Sequence, residues 1–144
     1  MTAKRPHWPE LFSECVEGAR NAPWKWGVHD CCMFAADVVL AMTGTDPAAG
    51  LRGRYSDKRG AALALRAAGF DDLERCVESL AMEHDFCEIA PLTAQRGDLV
   101  LVDQPGGPAL GVCEGQHAIL ATKPRGWIAV PMLHERVRRA WGVD

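Results

Sequence analysis

Long apolar runs are missing from this chain. No stretch of its 144 residues comes near the ~20 that a membrane-crossing helix needs, so membrane insertion is not expected. The opening residues Met1–Glu10 lack the apolar core of a secretory signal, which makes cytoplasmic synthesis and an intracellular or virion location the expectation. Net charge is also scarce: a formal −3 at pH 7 makes the molecule as a whole a poor electrostatic match for nucleic acid. There is no internal repeat and no low-complexity tract, so neither a solenoid nor a disordered tail is indicated. The six cysteines (Cys15, Cys31, Cys32, Cys76, Cys87 and Cys113) contain no CxxC. The adjacent pair Cys31–Cys32 cannot easily aim both thiols at one tetrahedral ion, so no metal is expected. A chain long enough to build a core needs no disulfide framework, and these cysteines sit mostly within apolar patterns.

What is present is a globular composition, 48% hydrophobic and 24% charged, that fits a single domain over 1–144 with an irregular stretch at 1–8. Pro9 opens a first amphipathic helix ending at Asn21, with Leu11, Cys15 and Ala19 along one face and Phe12 beside them. A second helix is expected from Cys31 to Met42, closed by Thr43-Gly44, with Phe34, Ala35, Val38, Val39 and Met42 buried. Residues 45–59 form a polar linker; Arg52, Arg54, Lys58 and Arg59 either rim a cleft or are simply solvated. Asp37 is placed to pair with a basic residue such as Arg54. An alanine-rich helix closed by Gly69 and a further helix over 72–84 follow. Past Pro91 the apolar period changes from helical to extended. Leu99–Val102, His117–Ala121 and Trp127–Val130 read as strands, separated by a glycine/proline loop at 105–111 and a turn at 123–126. The tail, 132–139, reads as a short basic helix or an irregular segment, with Trp141 pinning the end. Helices first and a small antiparallel sheet after them make an α+β domain.

The run from Trp24 to Asp37 carries the chemistry. Asp30 is a helix N-cap residue, and Cys31 follows it in the first turn, where the helix dipole favours thiolate over thiol. Cys32 is turned by about 100° around the axis, so only one of the two faces a given cleft squarely; the cap and first-turn position favour Cys31. A thiolate nucleophile needs a base from elsewhere in the chain, and His117, in a strand, is the candidate. His29 precedes the cap: it is near enough in sequence to touch the thiol, and equally placed to bond within the turn. Trp24 and Trp26 are expected to pack the turn or line a pocket.

Trp26-Gly27-Val28-His29-Asp30-Cys31 resembles the entry to the nucleophile in the NlpC-type papain-like cell-wall peptidases. Gly97-Asp98-Leu99-Val100 resembles their Gly-Asp-Leu strand opening, and His117-Ala118-Ile119 the strand that supplies their histidine. With Trp24-x-Trp26-Gly27 and Gly53-Arg54-Tyr55 before a Gly/Ala-rich helix, the chain is similar to small proteins of phage tail clusters and gene-transfer particles. The resemblance implies a papain-like fold, with Cys31 as nucleophile and His117 as base. Trp24, Trp26, His29, Asp30 and Cys32 would then line the oxyanion pocket or cleft. It implies cleavage of peptidoglycan stem peptides through an acyl-enzyme that needs no cofactor, and a place in a phage-like tail beside a tail or baseplate protein. Cys32 and Met33 stand where the family places a small polar residue and a glycine. The strand at 127–130 holds no polar side chain to orient the histidine, which leaves Gln116 or His134 for that role. The alternative is a tail component that keeps the fold as a docking module.

Overall fold

Three aspartates start three of the four helices. Asp30, Asp57 and Asp72 are all extended, and each side chain accepts from the backbone N–H three residues on, at Met33, Gly60 and Arg75. In the computed structural model, which describes residues 3–143, these caps open α2 (Cys31–Thr43), α3 (Lys58–Ala67) and α4 (Leu73–Glu83). The first helix, α1 (Trp8–Gly18), has no side-chain cap; it follows a left-handed His7 and has proline in its first turn. Of the stretch expected to be irregular, residues 1 and 2 lie outside the described residues and Trp8 already belongs to α1. Gly44, at φ 80°, closes α2 through its N–H to the Leu40 carbonyl.

The chain is α+β: four N-terminal helices, then an antiparallel sheet. Its strands are β1 (Cys87–Ile89), β2 (Leu99–Gln104), β3 (Gly107–Cys113), β4 (His117–Ala121), β5 (Trp127–Pro131) and β6 (Val137–Gly142), in the order β1-β6-β2-β3-β4-β5. This is a larger sheet than the sequence pattern indicates. The glycine/proline segment 105–111 is mostly strand, because a tight hairpin pairs Gln104 with Gly107 and leaves only Pro105-Gly106 as the turn. Gly111 reads as a loop residue but sits inside β3, where a Cβ would come within 2.3 Å of Leu120 and 2.5 Å of the Ile119 carbonyl. Of the tail, 132–136 is irregular, while from Val137 the chain is strand: β6 enters the sheet between β1 and β2, with a register shift between Leu101 and Val102.

Alternation along the strands sorts two cores. Leu99, Leu101, Leu110, Val112, Ile119, Ala121 and Trp141 face the helices and pack with Phe12, Val16, Phe34, Val38 and Met42. Trp141 is thus a core residue of β6. Val100, Val102, Cys113, Ala118, Leu120, Val130 and Ala140 form the second core on the opposite face, built from strands and their connections alone. On α1 the deep positions are Phe12 and Val16, while Cys15 and Ala19 pack at the margin. No helix among the described residues is long and apolar enough to cross a membrane.

Candidate active site at the start of the second helix

A tight loop delivers the chain into α2. Lys25 and His29 exchange backbone bonds across it, and Gly27, at φ 81°, turns it. Only glycine serves at that point, since a Cβ would lie 2.4 Å from the Tyr55 carbonyl oxygen. The Gly27 carbonyl in turn accepts from Gly53 N–H, which ties the loop to residues 51–55. Asp30, buried, locks the junction. Its carboxylate accepts from Gly27 N–H at 2.8 Å, Met33 N–H at 2.9 Å and the Tyr55 hydroxyl at 2.7 Å.

That lock places two thiols at the first turn of α2, with Sγ atoms 3.9 Å apart. Their surroundings shift the two thiol pKa values in opposite directions. The bond from the Cys32 thiol, above all, lowers Cys31 from its ordinary value; burial opposes this, and the Leu110 and Cys32 backbone N–H groups add to the lowering. Cys32 is raised well above its ordinary value, first because its proton serves Cys31 and then by burial. Cys31 is therefore the more readily ionised of the two thiols. Cys31 stands at the N-terminal end of α2, where the helix dipole favours negative charge.

Both thiols open onto an apolar cleft of about 100 Å³ bounded by α2, α3 and α4 over β2 and β3. Leu51, Leu65, Leu73, Leu80 and Leu110 supply much of its wall, and Trp26 and Tyr55 frame the end near Cys31. Cys76 of α4 lines it too, buried and pushed up to about 11 by desolvation.

The other expected site residues go elsewhere. Trp26 lines the cleft, with its ring 6.5 Å from that of Tyr55, but Trp24 does not. Trp24 packs edge-on against Trp26 at 5.1 Å, and its backbone N–H donates to the Pro124 carbonyl, pinning the loop to the β4–β5 turn. His29, buried, turns away from the thiols: its Nε2–H donates to the Gly126 carbonyl at 3.3 Å and its ring meets Phe34 edge-on. It is a bolt within the fold and not a wall of the cleft.

His117 is not brought to Cys31. Its Nδ1 lies 3.1 Å from Glu114 Oε1, which also accepts from the backbone N–H groups of His117 and Gln116. The β3–β4 register, Val112 with Ile119 and Cys113 with Ala118, puts Leu110 level with Ala121. His117 is thus four positions farther along β4, on the order of 13 Å from the strand level that touches Cys31. None of the five histidines lines the cleft. Of the expected orienting residues, Gln116 meets His117 only through Glu114, and His134 Nδ1 accepts from Arg136 N–H. Glu114 does the orienting; it stands three residues before the histidine, across a Gly-containing turn whose closure the sequence does not reveal.

Tyr55 is the other residue that site reasoning missed. The signal is present in Gly53-Arg54-Tyr55, but the bond to Asp30 depends on the path of the linker. Of the linker's basic residues, Arg52 pairs with Asp46 at 2.8 Å and Asp37 at 2.6 Å, so the partner of Asp37 is Arg52 and not Arg54. Among the described residues no group of three or more His, Cys, Asp or Glu side chains is arranged to hold a metal. No curated protein matches the chain. Residues 3–143 match the model of a family described as a domain of unknown function, DUF6950, and with nearly the whole length covered the chain belongs to that family.

Proposed function

We propose that this protein has a papain-like fold of NlpC type and acts as a cysteine hydrolase, with Cys31 forming the acyl-enzyme. The observation that carries the reading is the Cys31 sulfur itself. It sits in the first turn of a capped helix, is lowered by a bond from Cys32 and by backbone N–H groups, and opens onto a cleft. A thiolate held this way attacks a carbonyl without first needing a base. The helix-first, sheet-second order and the antiparallel sheet are in keeping with the resemblance. So is the Asp-Leu strand opening at Asp98, whose buried carboxylate accepts from Gln95 and Val143 N–H.

On this reading His117 has no part in activating the thiol, and Cys32 replaces it. Peptidoglycan stem peptides and a phage-like tail are the substrate and setting that the resemblance supplies. A second reading has an observation of its own. Amide cleavage needs a proton for the departing amine, and no histidine lines the cleft. That favours a tail or baseplate component using the fold to dock a partner.

Mass-spectrometric mapping of iodoacetamide labelling in folded protein, from about pH 5 to about pH 9, separates them. Early, selective labelling of Cys31 that moves to higher pH in Cys32→Ala and stays put in His117→Ala supports the nucleophile. Labelling of Cys31 no faster than that of exposed Cys87 overturns it and leaves docking. A digest of purified peptidoglycan then decides the substrate: peptide release lost in Cys31→Ala establishes the peptidase.

A further inference from the structure

The cleft and the absence of a histidine from its lining point to the same chemistry. Cys31, Cys32, Asp30 and Tyr55 meet at one end of the cleft; the rest of its lining, Cys76 and Phe86 included, carries no charged side chain. A stem peptide carries carboxylates and amines, and this wall offers no charged partner for them. The wall is also incompletely covered by the protein itself. Leu51, Leu65, Leu73 and Leu80 are only half-buried, and α3, which contributes Ala61 and Leu65 one helical turn apart, has no buried residue at all. A helix laid over an apolar cleft and left without a buried side chain leaves room for an apolar guest.

The leaving group follows from what surrounds Cys31. An amine departs only when protonated, whereas a thiolate departs unaided, its pKa being close to that of the attacking thiol. Cys31 has thiol and amide donors around it but no histidine. We propose that Cys31 accepts short- to medium-chain acyl groups from thioester donors, the chain lying in the leucine-lined cleft under α3.

In that step the Cys31 sulfur attacks the thioester carbonyl carbon. The new carbon–sulfur bond forms, the donor's carbon–sulfur bond breaks, and the departing thiolate takes up the proton that Cys31 released on ionising. Nothing is oxidised or reduced. The Cys32 thiol and the amides at the start of α2 are the groups at hand for the carbonyl oxygen as it gains charge. The inference rests on Cys31 being the nucleophile.

The test incubates the full chain with the acetyl, hexanoyl and palmitoyl thioesters of N-acetylcysteamine and follows intact mass and the modified peptide. Hexanoyl transfer to Cys31, reversed by neutral hydroxylamine, is expected about tenfold faster than acetyl transfer, because the longer chain buries several more methylenes. Leu65→Arg, on a helix with no buried residue, should reduce the hexanoyl rate to the acetyl rate while leaving iodoacetamide labelling of Cys31 unchanged. Equal rates for all chains, modification spread to Cys87, or a Leu65→Arg variant that keeps its chain preference would overturn the proposal. If iodoacetamide also fails to single out Cys31, the nucleophile reading has failed; if it labels Cys31 readily but chain length makes no difference, only the acyl-chain proposal has.

Discussion

Cys31 depends on a neighbour that looks redundant in the sequence. Cys32 directly follows another cysteine in the chain, yet its thiol is the largest influence lowering Cys31. Cys32→Ala should therefore raise the pH at which Cys31 alkylates, whereas Cys32→Ser, which keeps a donor, should lie between the variant and the wild type. Tyr55 plays a different part, as a positioning residue. Its hydroxyl donates to the buried Asp30 carboxylate, and burial followed by that bond raises its own pKa far above the usual phenol. Tyr55→Phe is expected to lower stability by about 1–2 kcal/mol, read by thermal melting, with Cys31 still labelled selectively. Gly27→Ala should be worse. A positive φ and a 2.4 Å approach to the Tyr55 carbonyl leave no relaxed conformation, so a loss above about 2 kcal/mol is expected.

At the scale of elements, the helices are not equally held. α2 buries Met33, Phe34, Ala35, Ala36, Val38, Val39 and Met42 and is apolar nearly all round, as a helix between a sheet and other helices must be. α3 carries Lys58 and Arg59 in its first turn, the wrong charge for that end of the dipole, and buries nothing. Native-state hydrogen exchange should find the α3 amides opening well before those of α2. Leu65→Ala is expected to change stability by less than about 1 kcal/mol, against about 3–5 kcal/mol for Phe34→Ala. The helices were legible because caps and apolar period are local. Asp30, Asp57 and Asp72 each stand where their helix begins, and Gly44 where α2 stops. The sheet was legible only where strands alternate simply. β3 was hidden by Gly107 and Gly111, glycines demanded by a hairpin and by close approach to Ile119, and β6 by arginines whose partners lie on other elements.

Those partners act on the molecule as a whole. Arg138 and Arg139 of β6 meet Glu74 and Glu78 of α4, Glu88 of β1 and Asp103 of β2, at 2.6 to 3.1 Å. The bonds from Arg138 and then Arg139 hold Glu74 down to about 2 from the ordinary 4.5. A carboxyl depressed in the folded state stabilises it fully above the unfolded pKa and loses that contribution as pH falls through the folded one. The melting temperature should accordingly decline as pH is lowered from 4.5 towards 2, and Glu74→Gln should flatten the decline in that window.

The sequence by itself determined the order of helices before strands, the cap at Asp30, the place of Cys31 in the first turn of α2 and the short apolar run Leu99–Val102 that becomes a buried strand. Each follows from residues a few positions apart, where backbone geometry alone decides the neighbours. Tertiary structure alone decided what meets Cys31. It set the β3–β4 register that carries His117 away to Glu114, the linker path that brings Tyr55 to Asp30, and the α3–α4 wall that makes the cleft apolar. Those contacts join residues far apart in the chain, and a shift of register or linker path would change them while leaving every local pattern intact.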